Sequence, residues 1–214
     1  YFVNYDLTPA VETNVIEQMA STFIANNYEI LPVLTELFQS EHFYDISVRG
    51  ALIRGPLDML YSMINGTESQ NAFSLATDYE MQTYVYGVSA ALGQAYLEPP
   101  SVAGWPAYYH EPSFSHLWMN ATHVKTRFDI SSFFTIYTGI PVSGNNWKVN
   151  AIGFLDNLSI PSDPVQVIDD IVDVFCPKGV DALQKLILKS ILTNGQPDFE
   201  WTIQYNEYLA DPGN

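Results

Sequence analysis

The hydrophobic residues of this chain recur mainly with a helical period. From Ala10 to about Asn26, apolar side chains return every three to four residues and form one wide stripe. The same spacing returns seven times further along the chain. It predicts helices after Tyr28, from Pro56 to Asn65, from Thr77 to Leu92, from Phe114 to Gly139 with a bend near Asp129, from Pro164 to Phe175, from Val180 to Leu192, and from Asp198 onward.

Local signals set several of these helix boundaries. Pro32 is compatible with a helix after Tyr28 only if it lies in the first turn. Thr77 and Glu80 have the spacing of a capping box, and Gly93 stands where a left-handed C-terminal cap belongs. These signals predict where the chain enters and leaves the helices.

The same periodicity predicts which helix faces are buried. After Phe114 the expected inner face carries apolar residues as far as Phe128, and in the helix from Val180 it carries four aliphatic residues. The first face comprises Phe114, Leu117, Trp118, Ala121, Val124 and Phe128, and the second comprises Leu183, Leu186, Ile187 and Ile191. Both faces are expected to pack against other helices.

The pattern typical of strands is missing from the sequence. No segment shows a convincing alternation of apolar and polar residues, and residues 140–162 read as an irregular connection rich in Gly, Asn and Pro. The sequence therefore predicts an all-α fold, an irregular bundle of seven to eight helices with long loops. We expect one helical domain over residues 1–214, with a possible subdivision near 140–162.

Composition excludes some classes of partner. The chain has 47% hydrophobic residues, enough for a core, and a formal net charge of −16 with its few basic residues scattered. Such a charge repels phosphate backbones, so we expect no nucleic-acid partner. No apolar run approaches the ~20 residues of a membrane-spanning helix, so we expect no membrane insertion.

Metal and cofactor signatures are weak. His116 and His123 would share a helical face with Asn120, but at about 1.5 Å of rise per residue they stand roughly 10 Å apart, too far to share one ion. The acidic group Asp163, Asp169, Asp170 and Asp173 lacks the oxygen pattern and central glycine of a calcium loop. Since no glycine-rich phosphate loop or nucleophile motif occurs either, we expect no metal and no cofactor.

One stretch, Pro99 to Asn120, is unusually dense in aromatic rings and prolines. Its flat side chains suit sugar rings or apolar ligands, although large aromatic residues also anchor irregular loops against helical cores. The candidate ligand-binding residues are Trp105, Tyr108, Tyr109, His110 and Trp118. The exposure of Trp105 distinguishes the two interpretations.

Three segments together resemble a known family. They are FQSEHFYDISVRGALIRGPLDML (38–60), GQAYLEPPSVAGWP (93–106) and LWMNATHVKTRF (117–128). This series resembles the C-terminal half of proteins with "domain of unknown function 1800", and the likeness extends over nearly the whole chain. The resemblance implies a helical, exported bacterial protein without an established reaction, whose N-terminal half would precede this chain.

These observations support three hypotheses about function. The leading one is a binding or scaffold module that contacts polysaccharide through the aromatic stretch, so this chain would not itself be an enzyme. The first alternative is part of a hydrolase completed by the N-terminal half, with Arg49, Arg54, His110 and His123 as contributors. The second is structural support for that half, which predicts an exposed apolar surface larger than monomers usually tolerate.

Overall fold

The structure is a computed structural model that describes residues 2–67, 75–106, 114–136, 138–142 and 144–212. Helices dominate it, which confirms the all-α prediction. The chain divides into two compact units, the first formed by residues 1–55 and 99–120 and the second by residues 56–98 and 121–214. The segment 140–162 lies within the second unit.

Helices and turns of the first unit come mostly from the start of the chain. They are α1 (Pro9–Val11), a π-helix (Glu12–Ile16), α2 (Glu17–Ala25), α3 (Ile30–Gln39), α4 (Glu41–Tyr44) and two 3-10 helices (Ile46–Val48 and Phe114–Trp118). The second unit contains α5 (Pro56–Gly66), α6 (Leu75–Ala91), α7 (Ala121–Thr135), β1 (Ile140–Val142), β2 (Asn145–Trp147), α8 (Ala151–Asp156), α9 (Pro164–Phe175), α10 (Ala182–Leu192) and α11 (Asp198–Ala210).

In the first unit, α2 packs against α3 across a tight reversal. Asn27 and Tyr28 both have positive φ angles, of 54° and 66°, which lets the chain turn back within a few residues. Pro32 lies in the first turn of α3, as predicted, where its missing N–H costs no intrahelical bond. Val33 and Leu37 then form the buried stripe of α3.

The main core of the second unit joins α5, α6, α7 and the β1–β2 hairpin. Phe134 is wholly buried, and its ring meets that of Trp147 edge to face at 5.0 Å between centroids. Leu60, Val85 and Ile140 belong to the same cluster. The core therefore combines three helices with a short piece of sheet.

That sheet corrects the expectation that residues 140–162 are wholly irregular. Ile140 pairs with Trp147 and Val142 with Asn145 in an antiparallel ladder. Gly139 precedes it with a φ of +66°, and a Cβ there would stand only 2.6 Å from the carbonyl oxygen of Trp147. Strands of three residues are too short to show alternation in the sequence, so the pattern gave no signal for them.

The predicted helix from Phe114 to Gly139 is also corrected. The chain breaks at Met119 and Asn120, between a 3-10 helix and α7, and not near Asp129. On α7 the buried positions are Ile130 and Phe134, whereas Val124 and Phe128 are exposed. The expected inner face was therefore wrong. Apolar residues occur on both sides of α7, so periodicity could not select the buried side.

The ends of α6 confirm one boundary prediction and correct another. The described helix already includes Leu75, so Thr77 lies inside it and is not its N-cap. At the other end Gly93 has the left-handed φ of +91°, and its N–H donates to the carbonyl of Ala90. The N–H of Gln94 donates to the carbonyl of Ser89 at 2.8 Å, which completes the C-terminal cap.

Helices α9, α10 and α11 form the last part of the second unit, with α9 contacting both of the others. Val167, Ile168 and Val172 of α9 are buried. Asp181 caps α10, accepting from the N–H of Gln184 at 2.8 Å while the Gln184 side chain accepts from the N–H of Asp181 at 2.9 Å. This reciprocal capping box fixes the start of α10.

Helix α10 presents the opposite face from the one predicted. Leu183, Leu186, Ile187 and Ile191 are 66%, 58%, 52% and 71% exposed. The face toward α9 and α11 instead holds lysines, since Lys185 pairs with Asp169 at 2.6 Å and Lys189 with Asp198 at 2.8 Å. The expectation that the aliphatic face is buried was therefore wrong, and two partly exposed ion pairs lie on the inward face instead.

Candidate functional site

A cleft of about 540 Å³ opens within the first unit, between the helical segment that starts at Pro9 and helices α3 and α4. Its volume lies in the range of small-molecule sites, roughly 300–1,000 Å³. It is lined by Ala10, Val11, Asn14, Val15, Gln18, Met19, Glu36, Leu37, Ser40, Glu41, His42 and Asp45. We call this site the α2–α3 cleft.

Two local backbone features shape the α2–α3 cleft. One is the π-helix, which inserts a wider turn into the predicted helix and contributes Asn14 and Val15 to the wall. Such turns within helices often occur at functional sites. The other is Ser40, whose hydroxyl accepts from the N–H of Phe43 at 3.2 Å and starts α4, so that Glu41 and His42 reach the cleft.

Acidic oxygens dominate the polar part of this lining. Oε2 of Glu36 is buried and has no hydrogen-bond partner among the described residues. Asp45 is exposed and accepts from the N–H of Ser47 at 2.7 Å, and this hydrogen bond lowers the pKa of the Asp45 carboxyl. The cleft therefore combines one unsatisfied, desolvated acceptor with two carboxylates, those of Glu41 and Asp45, that face water.

The aromatic stretch predicted from the sequence forms a second candidate site in the first unit. A tight turn at Ser101–Gly104, with Gly104 at φ +94°, precedes Trp105. The rings of Trp105 and Trp118 lie 6.4 Å apart between centroids and are tilted by 55°. Trp105 is half-buried, so part of its ring faces solvent.

The other residues of that stretch differ in what the structure describes. Trp118 is only 2% exposed, so its ring supports the loop and offers solvent almost no surface. Tyr108, Tyr109 and His110 lie outside the described residues. Of the five predicted ligand residues, the structure thus brings together Trp105 and Trp118.

The residues proposed for a hydrolase do not form one described cluster. Arg49 and Arg54 are exposed residues of the first unit, whereas His123 is a half-buried residue of α7 in the second. A Cβ placed on Gly93 would lie 3.4 Å from Cε1 of His123, so the imidazole packs in ordinary van der Waals contact with this turn. His116 and His123 belong to separate elements, and the described residues contain no group of three metal-ligating side chains.

Arg127 lies near His123 on the inner side of α7. Its guanidinium donates to the sulfur of Met59 at 3.3 Å, and partial burial lowers its pKa. These two polar side chains line the interior where the sequence pattern predicted apolar ones. They explain why α7 shows no clear apolar stripe.

A third feature is the exposed aliphatic face of α10, formed by Leu183, Leu186, Ile187 and Ile191, which we call the α10 stripe. From Leu183 to Ile191 it extends about 12 Å along the helix. Aliphatic side chains that follow each other at helical spacing usually face a partner. The stripe is thus a candidate interaction surface.

Comparison with known proteins identifies the family. The model of the family described as "Protein of unknown function (DUF1800)" matches residues 1–205 of the 214-residue chain. The chain belongs to the DUF1800 family. No curated protein and no solved structure matches the chain.

Family membership places the two candidate sites of the first unit on segments that carry the resemblance. Ser40, Glu41, His42 and Asp45, from the first quoted DUF1800 segment, border the α2–α3 cleft. Trp105 belongs to the Gly-Trp-Pro loop. No described helix is long and apolar enough to cross a membrane.

Sequence reasoning missed the α2–α3 cleft for identifiable reasons. Asn14 and Gln18 lie on a segment that the pattern predicts as an uninterrupted helix, and nothing in it signals a π turn. Glu36 is an acidic residue on a predicted helix and looks like a solvated surface acid in the sequence. Its place at the cleft depends on residues brought together by the fold.

Proposed function

We propose that this chain is an interaction or scaffold module of an exported protein, and that it docks onto another protein surface through the α10 stripe. The supporting observation is the orientation of α10. Its aliphatic residues face solvent while its lysines face the neighbouring helices. An amphipathic helix gains most by burying its apolar side, so this orientation favours a partner that covers the stripe.

The ion pairs of α10 support the same orientation. The Lys185 ammonium donates to Asp169 of α9, and this hydrogen bond raises the pKa of Lys185. Lys189 makes the corresponding contact with Asp198 at the start of α11. Rotating α10 to bury its leucines would break both of these partly exposed pairs and turn the lysines toward solvent.

The charge around the stripe indicates the chemistry of the partner. Residues 164–212 contain eight acidic residues and three lysines, and two of those lysines are already paired. A second copy of a chain with a net charge of −16 would be repelled. A partner with an apolar centre and a basic rim fits best, and the family resemblance makes the N-terminal half of DUF1800 proteins the first candidate.

The test is a binding measurement by sedimentation velocity. This chain is mixed with the separately produced N-terminal half, and a complex of one copy of each is expected. Ile187→Ser, in the centre of the stripe, should weaken the complex by about tenfold or more, as at an interface hot spot. Ile24→Ser is the matched control, because Ile24 is a comparably exposed isoleucine on α2 of the first unit.

Two results would contradict the proposal. One is the absence of any complex at concentrations of tens of micromolar, since a covered aliphatic helix face should bind at least that well. The other is an equal loss of binding in the Ile187 and Ile24 variants, which would show that the stripe has no special part in the interface. Self-association of the chain alone would replace the proposed partner with a second copy.

A second candidate function, carbohydrate binding, rests on the partly exposed ring of Trp105. A flat indole beside a buried tryptophan can stack on a sugar ring. Glycan-array binding should disappear in Trp105→Ala and persist in Tyr96→Ala, which removes an exposed aromatic ring from the second unit. Identical glycan binding by both variants would rule out a role for Trp105.

A further inference from the structure

The α2–α3 cleft has the volume of a small-ligand site, and it lies wholly within the first unit. Its lining comes from one continuous run of chain between Ala10 and Asp45. This run includes the π turn and the start of the family segment 38–60. The cleft is separate from the α10 stripe, so an inference about it is independent of the interaction proposed above.

The buried oxygen Oε2 of Glu36 lacks a hydrogen-bond donor among the described residues of the α2–α3 cleft. An ionised carboxylate accepts hydrogen bonds and donates none, and Oε2 of Glu36 is buried without a partner among the described residues. Burying such an oxygen is costly unless a donor or a positive charge compensates for the lost water. A ligand that brings a donor to Glu36 would remove that cost.

The carboxylates of the lining indicate what charge a ligand that donates to Glu36 should carry. It contains three carboxylates, those of Glu36, Glu41 and Asp45, and no lysine or arginine among the described residues that form it. Phosphate and carboxylate ligands would be repelled by this lining. A cationic donor gains both a charge-assisted hydrogen bond and attraction from the surrounding carboxylates.

The apolar part of the lining indicates the chemistry of the part of the ligand that does not contact Glu36. Val15, Met19 and Leu37 line the same cleft, and they suit methylene groups better than a strongly hydrated metal ion. The described residues also contain no cluster of three metal-ligating side chains. An organic cation with a short carbon frame therefore matches both the acidic and the apolar parts of the lining.

We propose that the α2–α3 cleft binds the primary ammonium group of a small organic amine, with the ammonium donating to Glu36 and the carbon frame against Val15, Met19 and Leu37. Two sources share this chemistry, aliphatic polyamines and amino sugars. Asn14 and Gln18, at the cleft wall, offer amide oxygens for a second donor group.

Isothermal titration calorimetry tests the proposal. Putrescine, spermidine and glucosamine are titrated into the full chain at about 0.15 M salt, which screens nonspecific attraction to the acidic surface. Butane-1,4-diol and glucose serve as uncharged probes of matching shape. One site should bind at least one of the amines, while the two uncharged probes should not bind measurably; the preferred amine identifies the source.

Variants then locate the site. Glu36→Gln keeps the shape and removes the charge, so it should weaken amine binding by about tenfold or more, as loss of a charge-assisted hydrogen bond does. Glu29→Gln is the matched control, because Glu29 is exposed immediately before α3 and outside the cleft lining. It removes the same charge and should leave the affinity unchanged.

A second variant keeps the test informative if Glu36→Gln lowers stability. Asn14→Lys, on the exposed side of the π turn, places a tethered ammonium at the cleft and should block amine binding while circular dichroism stays unchanged. The proposal is overturned by equal binding of diol and diamine, by equal weakening in the Glu29 and Glu36 variants, or by binding of Ca²⁺ with no binding of any amine.

Discussion

Asp170 shows at the scale of one residue how this chain satisfies an acidic side chain. Its carboxylate accepts from Nε2 of Gln166 at 2.7 Å, and from the N–H and the hydroxyl of Ser159 at 2.8 Å and 2.7 Å. These bonds hold the turn before α9 against the helix. The hydrogen bond from Gln166, followed by those from Ser159, lowers the pKa of Asp170 below its ordinary 3.8.

The lowered pKa predicts a pH-dependent contribution to stability. Because the folded state holds Asp170 ionised below the unfolded pKa, its contribution is complete above pH 3.8 and is lost as the pH falls through the folded value. We expect Asp170→Asn to lower the free energy of unfolding by about 1 kcal/mol at neutral pH. The difference from wild type should shrink toward zero in acid.

Urea unfolding of both proteins between about pH 2 and pH 7 measures this difference. Asp211→Asn, at the exposed end of α11, is the control and should change the free energy of unfolding little at any pH. An Asp170→Asn effect that stays constant down to the acid limit would show that ionisation of Asp170 does not stabilise the fold.

Glu36 is the counterpart of Asp170. Its buried oxygen has no described protein donor, whereas Asp170 accepts three hydrogen bonds. Both residues belong to predicted helices and look equally like solvated surface acids in the sequence. Only the positions of their neighbours separate a structural carboxylate from a candidate binding group.

At the scale of elements, α7 illustrates how closely buried and exposed aromatic residues can follow each other. Phe134 is 0% exposed and contacts Trp147, whereas the adjacent Phe133 is 54% exposed. Successive residues point about 100° apart around a helix, so one ring can face the core while the next faces out. The two residues form a matched pair for mutation.

We expect Phe134→Ala to lower the free energy of unfolding by about 3–5 kcal/mol, because it removes a wholly buried ring and leaves a cavity. Phe133→Ala should cost less than about 1 kcal/mol. Chemical denaturation monitored by tryptophan fluorescence measures both. Similar losses in the two variants would mean that the exposed side of α7 is covered by something in solution.

Helix α10 gives the complementary lesson about elements. Its capping box was not predicted, although Asp181 and Gln184 are three residues apart, as a capping box requires. The aliphatic face that the sequence predicted to be buried is exposed. Propensity and capping determine that a helix forms here. The face that it turns inward depends on residues of other helices, among them Asp169 and Asp198, which pair with its lysines.

At the scale of the whole chain, family membership and the helical class were both predicted, and the comparison and the structure confirm them. The division into two units mixes distant segments, because residues 99–120 join the first unit while residues 56–98 belong to the second. No pattern of neighbouring residues in the sequence indicates which distant segments share a unit. Export and the missing N-terminal half stay predictions, as do the bacterial source and the polysaccharide partner.

The sequence by itself determined where most helices form and which family the chain belongs to. Helix formation and family motifs depend on residues that are close together along the chain, such as Gly93 at the C-terminal cap of α6 or the residues of the Gly-Trp-Pro loop. The tertiary structure alone decided which faces of α7 and α10 are buried, where the β1–β2 hairpin pairs, and that Glu36 borders a cleft. Burial and electrostatic surroundings depend on residues from distant parts of the chain, which local patterns do not encode.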